Sequence, residues 1–255
     1  MSYICEANKF DFFIADSNEK YQSNFGVVKK NSRITFDTSY SEEAFEKLFE
    51  PGEEIFLVIS HNHKDHYFGA RNYYKYFKTI FCGIDMVEHL IKLGCCKSQI
   101  KVISAEKNVN IANNIVIGVE GSHSYLDIIM YNTDIQVAFL GDLLLQGRHP
   151  RIFYHGVGKV IYLLEKLVHM GIVLFVPGHG KIMGVKEVVE YIEYLRYIET
   201  AKKNGISREE VRIWLLEKNI KWKHVDRLWF FLDARLEKIV NGKEELQNWE
   251  SYTAH

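Results

Sequence analysis

One short segment of this 255-residue chain concentrates side chains that bind metal ions. Its sequence is Ser-His-Asn-His-Lys-Asp-His, and it contains His61, His63, Asp65 and His66. In an extended segment, residues two apart point the same way, so His61 and His63 can hold one ion. A turn after them lets Asp65 and His66 face a second ion. Because imidazole and carboxylate groups suit zinc and similar divalent metals, the segment predicts a metal site.

Three more residues of metal-ligand type each follow a short apolar run that predicts a β-strand. These residues are His123, Asp142 and His179, which follow segments 115–119, 135–140 and 172–176. A glycine stands one or two residues before each of them, and glycine permits a tight turn that aims the next side chain inward. The metal-binding segment itself follows Ile55–Ile59, a run that predicts a strand buried on both faces. We therefore expect all four groups to converge at one end of a sheet.

The elements that must position these residues divide the chain into two regions. Up to about Gly184, short strand-like runs alternate with helical patterns, including expected helices that end near Phe49 and that span about 67–77. After Gly184 only helical patterns occur, and Ser207 with Glu210 forms a capping box before the second of three amphipathic helices. We predict a mixed α/β domain over 1–184 and a C-terminal helical extension over 185–255 that packs on it.

Composition and charge exclude several classes of protein. The chain is 47% hydrophobic and 25% charged, which is typical of a globular protein, and its net charge of −1 gives no general attraction to nucleic acid or membrane. The most apolar stretch, Val160–Val176, is interrupted by charged residues, so we expect no membrane span. We also expect no secretory signal and four reduced cysteines, since no C-x-x-C pair occurs. These features predict a cytoplasmic protein.

Taken together, these residues resemble the metallo-β-lactamase superfamily of metallohydrolases over about residues 10–184. Five motifs occur in the expected order, namely Asn24-Phe25-Gly26 with Ile34–Asp37, His61-x-His63-x-Asp65-His66, His123, Gly141-Asp142 and Pro177-Gly178-His179-Gly180. The resemblance implies a four-layer αβ/βα sandwich with the site at one edge of two β-sheets. It also implies two divalent metal ions, with zinc expected and manganese or iron as alternatives. The implied ligands are His61, His63 and His123 for one ion, and Asp65, His66 and His179 for the other, with Asp142 bridging both.

The same resemblance implies a hydrolase in which a hydroxide shared by two ions attacks a carbonyl or phosphoryl centre. The expected catalytic residues are Asp65, His63 and Asp142, and Asp65 could also orient the nucleophile or relay its proton. True metallo-β-lactamases typically carry Cys or Ser at the position of Asp142, which disfavours β-lactam hydrolysis. Lactonases of the superfamily usually carry Tyr at the position of Leu145, which weakens the lactonase hypothesis. We therefore predict hydrolysis of a small ester or thioester, as in glyoxalase II.

Alternatives to this prediction stay open at the level of sequence. A metal-dependent phosphodiesterase or nuclease is second, because the helical extension is locally basic, and a non-catalytic metal-binding interaction module is third. The loop after Asp142 offers candidates for binding an anionic small-molecule substrate, which are Arg148, His149, Arg151 and Tyr154. An ordinary basic loop would have the same composition. Nucleic acid is not favoured as a partner, no membrane partner is expected, and the sequence leaves homo-oligomers open.

Overall fold

The computed structural model describes residues 2–7, 10–14, 22–28, 33–40, 55–105 and 107–233. Within these ranges it contains two β-sheets, with helices on the outer face of each. The helix expected to end near Phe49 lies outside the described residues, as does the end of the last predicted helix beyond residue 233.

The first sheet has seven strands, which lie side by side in their order along the chain. They are β1 (Ser2–Ala7), β2 (Phe10–Ile14), β3 (Phe25–Val28), β4 (Arg33–Phe36), β5 (Ile55–Val58), β6 (Phe77–Cys82) and β7 (Ile100–Val102). Strands β1 to β4 pair antiparallel, whereas β4 to β7 pair parallel. The apolar run in β5 fits this position, because a central parallel strand is covered on both faces.

The second sheet has six strands among the described residues, in the order β13-β12-β11-β10-β9-β8. They are β8 (Val109–Ile111), β9 (Asn114–Glu120), β10 (Leu126–Asn132), β11 (Val137–Phe139), β12 (Leu174–Val176) and β13 (Met183–Gly184). Strand β10 runs antiparallel to both β9 and β11, and β11 runs parallel to β12. The carboxyl ends of β9, β11 and β12 therefore lie at the same edge, as the sequence predicted for the residues that follow them.

Six α-helices occur in the described ranges. They are α1 (Lys64–Tyr67), α2 (Val87–Lys92), α3 (Tyr154–His169), α4 (Val185–Asn204), α5 (Arg208–Glu217) and α6 (Val225–Asp233). The single helix predicted over about 67–77 is wrong. That segment contains two short 3₁₀ turns, at 68–70 and 74–76, before β6 begins. The backbone N–H of Arg71 donates to the Phe68 carbonyl at 3.2 Å, three residues back, and the Tyr67 carbonyl accepts instead from the Tyr74 hydroxyl at 2.5 Å.

Three apolar clusters separate the layers of the molecule. One lies between the sheets, and there a side chain at Gly26 would come within 2.1 Å of the Phe139 ring, so only glycine fits. A second cluster packs β5 and β6 against α1 and α2, with Leu57, Ile80, Tyr67 and Leu90 among its members. The third packs the second sheet against α3 and α4, with Ile129, Phe175, Leu164 and Leu195 among its members. The resulting order of helices, sheet, sheet and helices confirms the predicted four-layer αβ/βα sandwich.

The described part of the helical extension packs on the outer face of the second sheet. Buried residues of α5 and α6, including Val211, Leu215 and Leu228, belong to the same apolar cluster as α3 and α4. The ammonium group of Lys202 on α4 donates to the Phe231 carbonyl at 2.5 Å, which ties α6 to α4. None of the helices in the described ranges is both long enough and apolar enough to cross a bilayer.

Candidate metal centre

Seven side chains of metal-ligand type meet at the edge where strands of both sheets end. In the part of the chain that the structure describes, they form two groups, each with its ligand atoms within 4.8 Å of one another. The first group is His61, His63, His123 and Asp142, and the second is Asp65, His66 and His179. The two sheets are joined here, because the N–H of Ile128 donates to the Ser60 carbonyl at 2.7 Å. The structure thus brings together every ligand residue that the sequence predicted.

The first group presents three imidazole nitrogens and one carboxylate oxygen to one another. His61 Nε2 lies 2.9 Å from His63 Nδ1, and His63 Nδ1 lies 3.2 Å from His123 Nε2. Asp142 Oδ2 lies 3.5 Å from His123 Nε2. A set of three nitrogens and one oxygen is a common zinc-type ligand set in proteins.

The second group is joined to the first through Asp142. Asp142 Oδ1 lies 3.2 Å from His66 Nε2 and 3.5 Å from His179 Nε2. Asp65 Oδ2 is 3.2 Å from the same nitrogen of His179. One oxygen of Asp142 therefore faces each group, and this is the position that the resemblance implied for a bridging carboxylate.

Two glycines make room for Asp142 and aim it. Gly141 has a φ of +51°, which glycine adopts at little cost, and a side chain on it would lie 2.8 Å from the Ser60 Cβ atom. A Cβ atom on Gly178 would lie 2.1 Å from Asp142 Oδ1, in the space of the carboxylate itself. The N–H of Gly178 also donates to the Gly141 carbonyl at 2.7 Å. The loops that carry Asp142 and His179 are thus fixed to each other.

Asn24, at the start of β3, holds the loop that carries His179. Its side-chain amide donates to the carbonyls of Pro177 at 2.9 Å and Gly180 at 2.7 Å, and its backbone N–H donates to Gly178 at 2.7 Å. The sequence marked Asn24 as part of a motif, and the structure shows how it acts. It connects the first sheet to a metal-ligand loop of the second.

A buried carboxylate behind His66 determines which nitrogen of that imidazole faces the cluster. Asp37 Oδ2 lies 2.8 Å from His66 Nδ1, and Asp37 also accepts hydrogen bonds from the N–H and hydroxyl of Ser60 at 2.7 and 2.8 Å. Burial raises the pKa of Asp37, and the neighbouring His66 opposes that rise. Because Nδ1 is engaged by Asp37, Nε2 of His66 is left to face Asp142. This arrangement is typical of metal-binding histidines.

His123 is oriented in the same way, from both its ring and its backbone. Its Nδ1 lies 2.7 Å from the Arg151 carbonyl, which leaves Nε2 to face the first group. The backbone N–H groups of His123 and Ser124 donate to the buried carboxylate of Asp127 at 2.7 and 3.0 Å. Burial raises the pKa of Asp127 to about 6, and these hydrogen bonds limit the rise. The sequence missed Asp127, whose only signal was a buried-strand position four residues after His123.

The buried polar atoms of the cluster fit metal ions. His66 Nε2 and Asp142 Oδ1 are both buried and lack hydrogen-bond partners in the described residues, although they face each other. Such groups are costly to bury unless something satisfies them, and a cation would satisfy both. Burial also lowers the pKa of His63 to about 4 and that of His123 to about 3, so both rings are neutral near pH 7. Neutral imidazole is the form that binds metal.

Of the four residues predicted to bind substrate, only two stand beside the cluster with described side chains. Arg148 and Arg151 are half-buried there, and burial lowers the pKa of Arg151 to about 10. His149 is buried away from the surface, with its Nδ1 2.8 Å from the Tyr194 hydroxyl, so it contributes to packing between the loop and the helical extension. Tyr154 begins α3, and its side chain lies outside the described part of the molecule.

Comparison with solved structures identifies the fold. No protein-family model matches the chain, and a search of curated proteins gives no match. The metallo-β-lactamase FIM-1 from Pseudomonas aeruginosa, in its mono-zinc form, matches with a TM-score of 0.60 and 16% identity, covering 81% of this chain and 96% of that one. The chemotaxis sensor ODP, solved as a peroxy diiron species, matches with a TM-score of 0.59 and 14% identity, covering 76% and 94%. This chain therefore has the metallo-β-lactamase fold that its motifs predicted.

Proposed function

We propose that this protein is a metal-dependent hydrolase that binds two divalent ions and cleaves a small ester or thioester. The observation that carries the proposal is Asp142, which presents one oxygen to each of two adjacent ligand groups. A lone metal site would need only one of these groups. The shared carboxylate supports a two-ion site, and two-ion sites are typical of hydrolases.

The ligands on each side follow from the geometry of the cluster. His61, His63 and His123 would hold one ion, and Asp65, His66 and His179 would hold the other, with Asp142 shared. When bound, such ions lower the pKa of water to about 7 and stabilise the negative charge that develops during hydrolysis. Zinc is the metal we propose, with manganese and iron as alternatives. The two structural neighbours carry a single zinc and a pair of irons respectively, so this fold accommodates more than one metal.

Asp65 is the residue we propose to handle the proton of the attacking water. It is the most exposed carboxylate of the cluster, at 21% for its side chain, against 8% for Asp142. Burial raises the pKa of Asp65, but His66 and His179 lower it by more, so the resulting pKa is well below the usual value for a carboxyl group. Asp65 is therefore a carboxylate at neutral pH, and it can accept a hydrogen bond from water at the open side of the cluster. His63 and Asp142 complete the catalytic set as ligands.

Phosphodiester hydrolysis is a second candidate, because the half-buried residues Arg148 and Arg151 lie on the loop that follows Asp142, and a guanidinium group suits a phosphate. β-Lactam hydrolysis is not part of the proposal, although the neighbour FIM-1 is a metallo-β-lactamase, because Asp142 replaces the Cys or Ser expected there. A small-molecule substrate and a cytoplasmic location belong to the same proposal.

The test is a paired assay on the full chain loaded with two equivalents of zinc, manganese or iron. One arm measures hydrolysis of small thioesters, including a glutathione thioester, and the other measures a chromogenic phosphodiester, each with and without chelator. We expect chelator-sensitive thioester hydrolysis. In Asp142→Asn, kcat/KM should fall by more than about 100-fold, since loss of a ligand should exceed the roughly 10- to 100-fold cost of losing an outer-shell contact. Glu190→Gln, on the exposed face of α4, is the matched control.

Metal analysis of the same samples separates the alternatives. Two ions per chain with thioester hydrolysis support the proposal. Phosphodiester hydrolysis alone would establish the second candidate in its place. Two bound ions without turnover in either arm would favour the non-catalytic metal-binding module, and failure to bind metal would refute the site itself.

A further inference from the structure

Ser60, the residue directly before the first metal ligand, lies at the centre of a buried hydrogen-bond network. It is buried, and strand β5 ends two residues before it. Its hydroxyl oxygen lies 2.8 Å from Asp37 Oδ2, 2.9 Å from His61 Nδ1 and 3.3 Å from His66 Nδ1. Because His61 belongs to the first ligand group and His66 to the second, one hydroxyl lies against a ligand of each group.

Both sheets hold Ser60 in this place. Its backbone N–H donates to Asp37 Oδ1 at 2.7 Å, and its carbonyl accepts from the N–H of Ile128 in the second sheet, also at 2.7 Å. A Cβ atom on Gly141 would lie 2.8 Å from the Ser60 Cβ atom, so the backbone just before Asp142 packs directly against this side chain. The Ser60 hydroxyl is therefore part of the rigid base of the metal centre.

The single hydroxyl proton of Ser60 determines the direction of these hydrogen bonds. Both oxygens of Asp37 accept from Ser60, Oδ1 from the N–H and Oδ2 from the hydroxyl. Because a carboxylate only accepts, the hydroxyl proton points to Asp37, and the lone pairs of Ser60 are left for His61. His61 Nδ1 must then carry a proton and donate it to Ser60. The reverse assignment would turn a lone pair of Ser60 toward a carboxylate oxygen 2.8 Å away.

This assignment leaves the correct nitrogen of His61 free for a metal ion. A neutral imidazole carries one proton, so a proton on Nδ1 leaves the lone pair on Nε2. Nε2 of His61 is the atom that faces the first group, 2.9 Å from His63 Nδ1. His66 is oriented by direct contact, because its Nδ1 lies 2.8 Å from Asp37 Oδ2. One carboxylate thus orients a ligand in each group, His66 directly and His61 through Ser60.

We infer that Ser60 is a positioning residue that extends the influence of the Asp37 carboxylate to the first metal ion, so that both metal sites depend on one buried charge. The inference rests on the two-ion site of the proposed function and not on its substrate. Metal-binding histidines usually have a carboxylate, carbonyl or water behind them, and here a hydroxyl relays a carboxylate to a second histidine. Loss of the hydroxyl should weaken the first site, whereas loss of Asp37 should weaken both.

Ser122 provides a matched control for Ser60. It also comes directly before a ligand of the first group, His123, and it is buried as Ser60 is. Within the described ranges, however, its hydroxyl has no hydrogen-bond partner. Ser122→Ala therefore removes a buried hydroxyl beside a metal ligand without removing a contact to a ligand ring. If any buried hydroxyl at this depth affected metal binding, Ser122→Ala and Ser60→Ala would give the same result.

The test follows the histidine rings of the full chain by long-range proton–nitrogen NMR, with and without zinc. In wild type, His61 and His66 should both carry a proton on Nδ1. In zinc-free Ser60→Ala, His61 should populate the form with its proton on Nε2. Chelator competition, monitored at each ring, should show that zinc affinity falls about tenfold at His61 and by less than about threefold at His66, which Asp37 still contacts. Ser122→Ala should match wild type at both rings.

Three outcomes would overturn the inference. The first is a His61 ring that carries its proton on Nε2 in zinc-free wild type, a result that needs no variant. The second is equal loss of zinc affinity at both groups in Ser60→Ala, and the third is a loss in Ser122→Ala as large as that in Ser60→Ala. Zinc binding without hydrolysis of any substrate would refute the proposed activity, and the ring protons and the two affinities would still decide the role of Ser60.

Discussion

The metal centre and the connecting loop over 146–151, which follows Asp142, lie side by side, yet the chain holds them in opposite ways. Behind the metal centre, Asp37 and His66 are buried, and the Asp37 carboxylate is bonded to His66 Nδ1 and to the Ser60 N–H from a separate segment. In the connecting loop, Arg148 and Arg151 are half-buried, and two backbone hydrogen bonds to Lys223 join the loop to the helical extension. The first region depends on the body of the fold, whereas the second depends on how the extension is placed.

This difference matches what each region must do. Metal ligands must keep their atoms within a few tenths of an ångström of a fixed distance, so they need rigid support from strands and buried hydrogen bonds. Substrate recognition tolerates more variation and is commonly carried by loops on a rigid scaffold. We therefore expect changes behind the metal ligands to alter metal binding, and changes at the junction with the extension to alter substrate binding and local stability.

Replacement of Asp37 should break the metal centre most strongly. In Asp37→Ala, His66 loses the partner that fixes its Nδ1, and the Ser60 N–H and hydroxyl lose their acceptor. We expect metal affinity to fall by about 10- to 100-fold, the usual range for losing a carboxylate behind a metal-binding histidine. Competition with a chromophoric chelator measures this affinity. Asp37→Asn keeps an acceptor for Ser60, so its metal affinity should lie between those of wild type and Asp37→Ala. If Arg148→Gln weakened metal binding as much as Asp37→Ala, the two regions would not be separable.

His149 offers a pH test of the junction. Burial lowers its pKa to about 4, against the unperturbed value of 6.5, and the charge of Asp226 only partly opposes this. Between these two pH values the unfolded chain binds a proton that the folded chain does not, so stability present above pH 6.5 is lost as pH falls. Lowering the pH from 7.5 to 5 should therefore reduce the free energy of unfolding by about 2 kcal/mol through this group. Urea unfolding should therefore show a smaller pH dependence in His149→Gln than in wild type, and equal dependence would contradict the buried placement.

The metal ligands could be predicted from sequence because each stands next to a feature that the sequence displays. His61 and His63 are two residues apart after a continuous apolar strand, and Asp142 follows Gly141, which has a positive φ of +51°. Spacing and strand ends are local properties. The four-layer fold was implied by the resemblance of these motifs to a known family, whereas the alternating strand and helix patterns alone indicated a mixed α/β domain.

The remaining features depend on contacts between distant segments. Lys223 of the helical extension pairs with the loop around Arg148, and nothing in the sequence around either residue shows that contact. His149 has the same polar character as Arg148, but only the packing of Tyr194 and Trp222 around it determines that it is buried. The incorrect helix over 67–77 has a local cause instead, because the Tyr74 hydroxyl occupies the Tyr67 carbonyl and the Arg71 N–H donates three residues back, to Phe68.

The smallest expected effect lies in the part of the extension that does not touch the loop. Ser207 caps α5 as its sequence predicted, with its hydroxyl accepting from the Glu210 N–H at 3.3 Å. Ser207→Ala should cost about 1 kcal/mol and lower Tm by about 2–4 °C. Because α5 supplies none of the metal ligands, metal affinity and kcat/KM should stay unchanged. Thermal melts measure the loss of stability, and a loss of metal affinity in Ser207→Ala at a temperature where the variant is folded would contradict the separation of α5 from the metal centre.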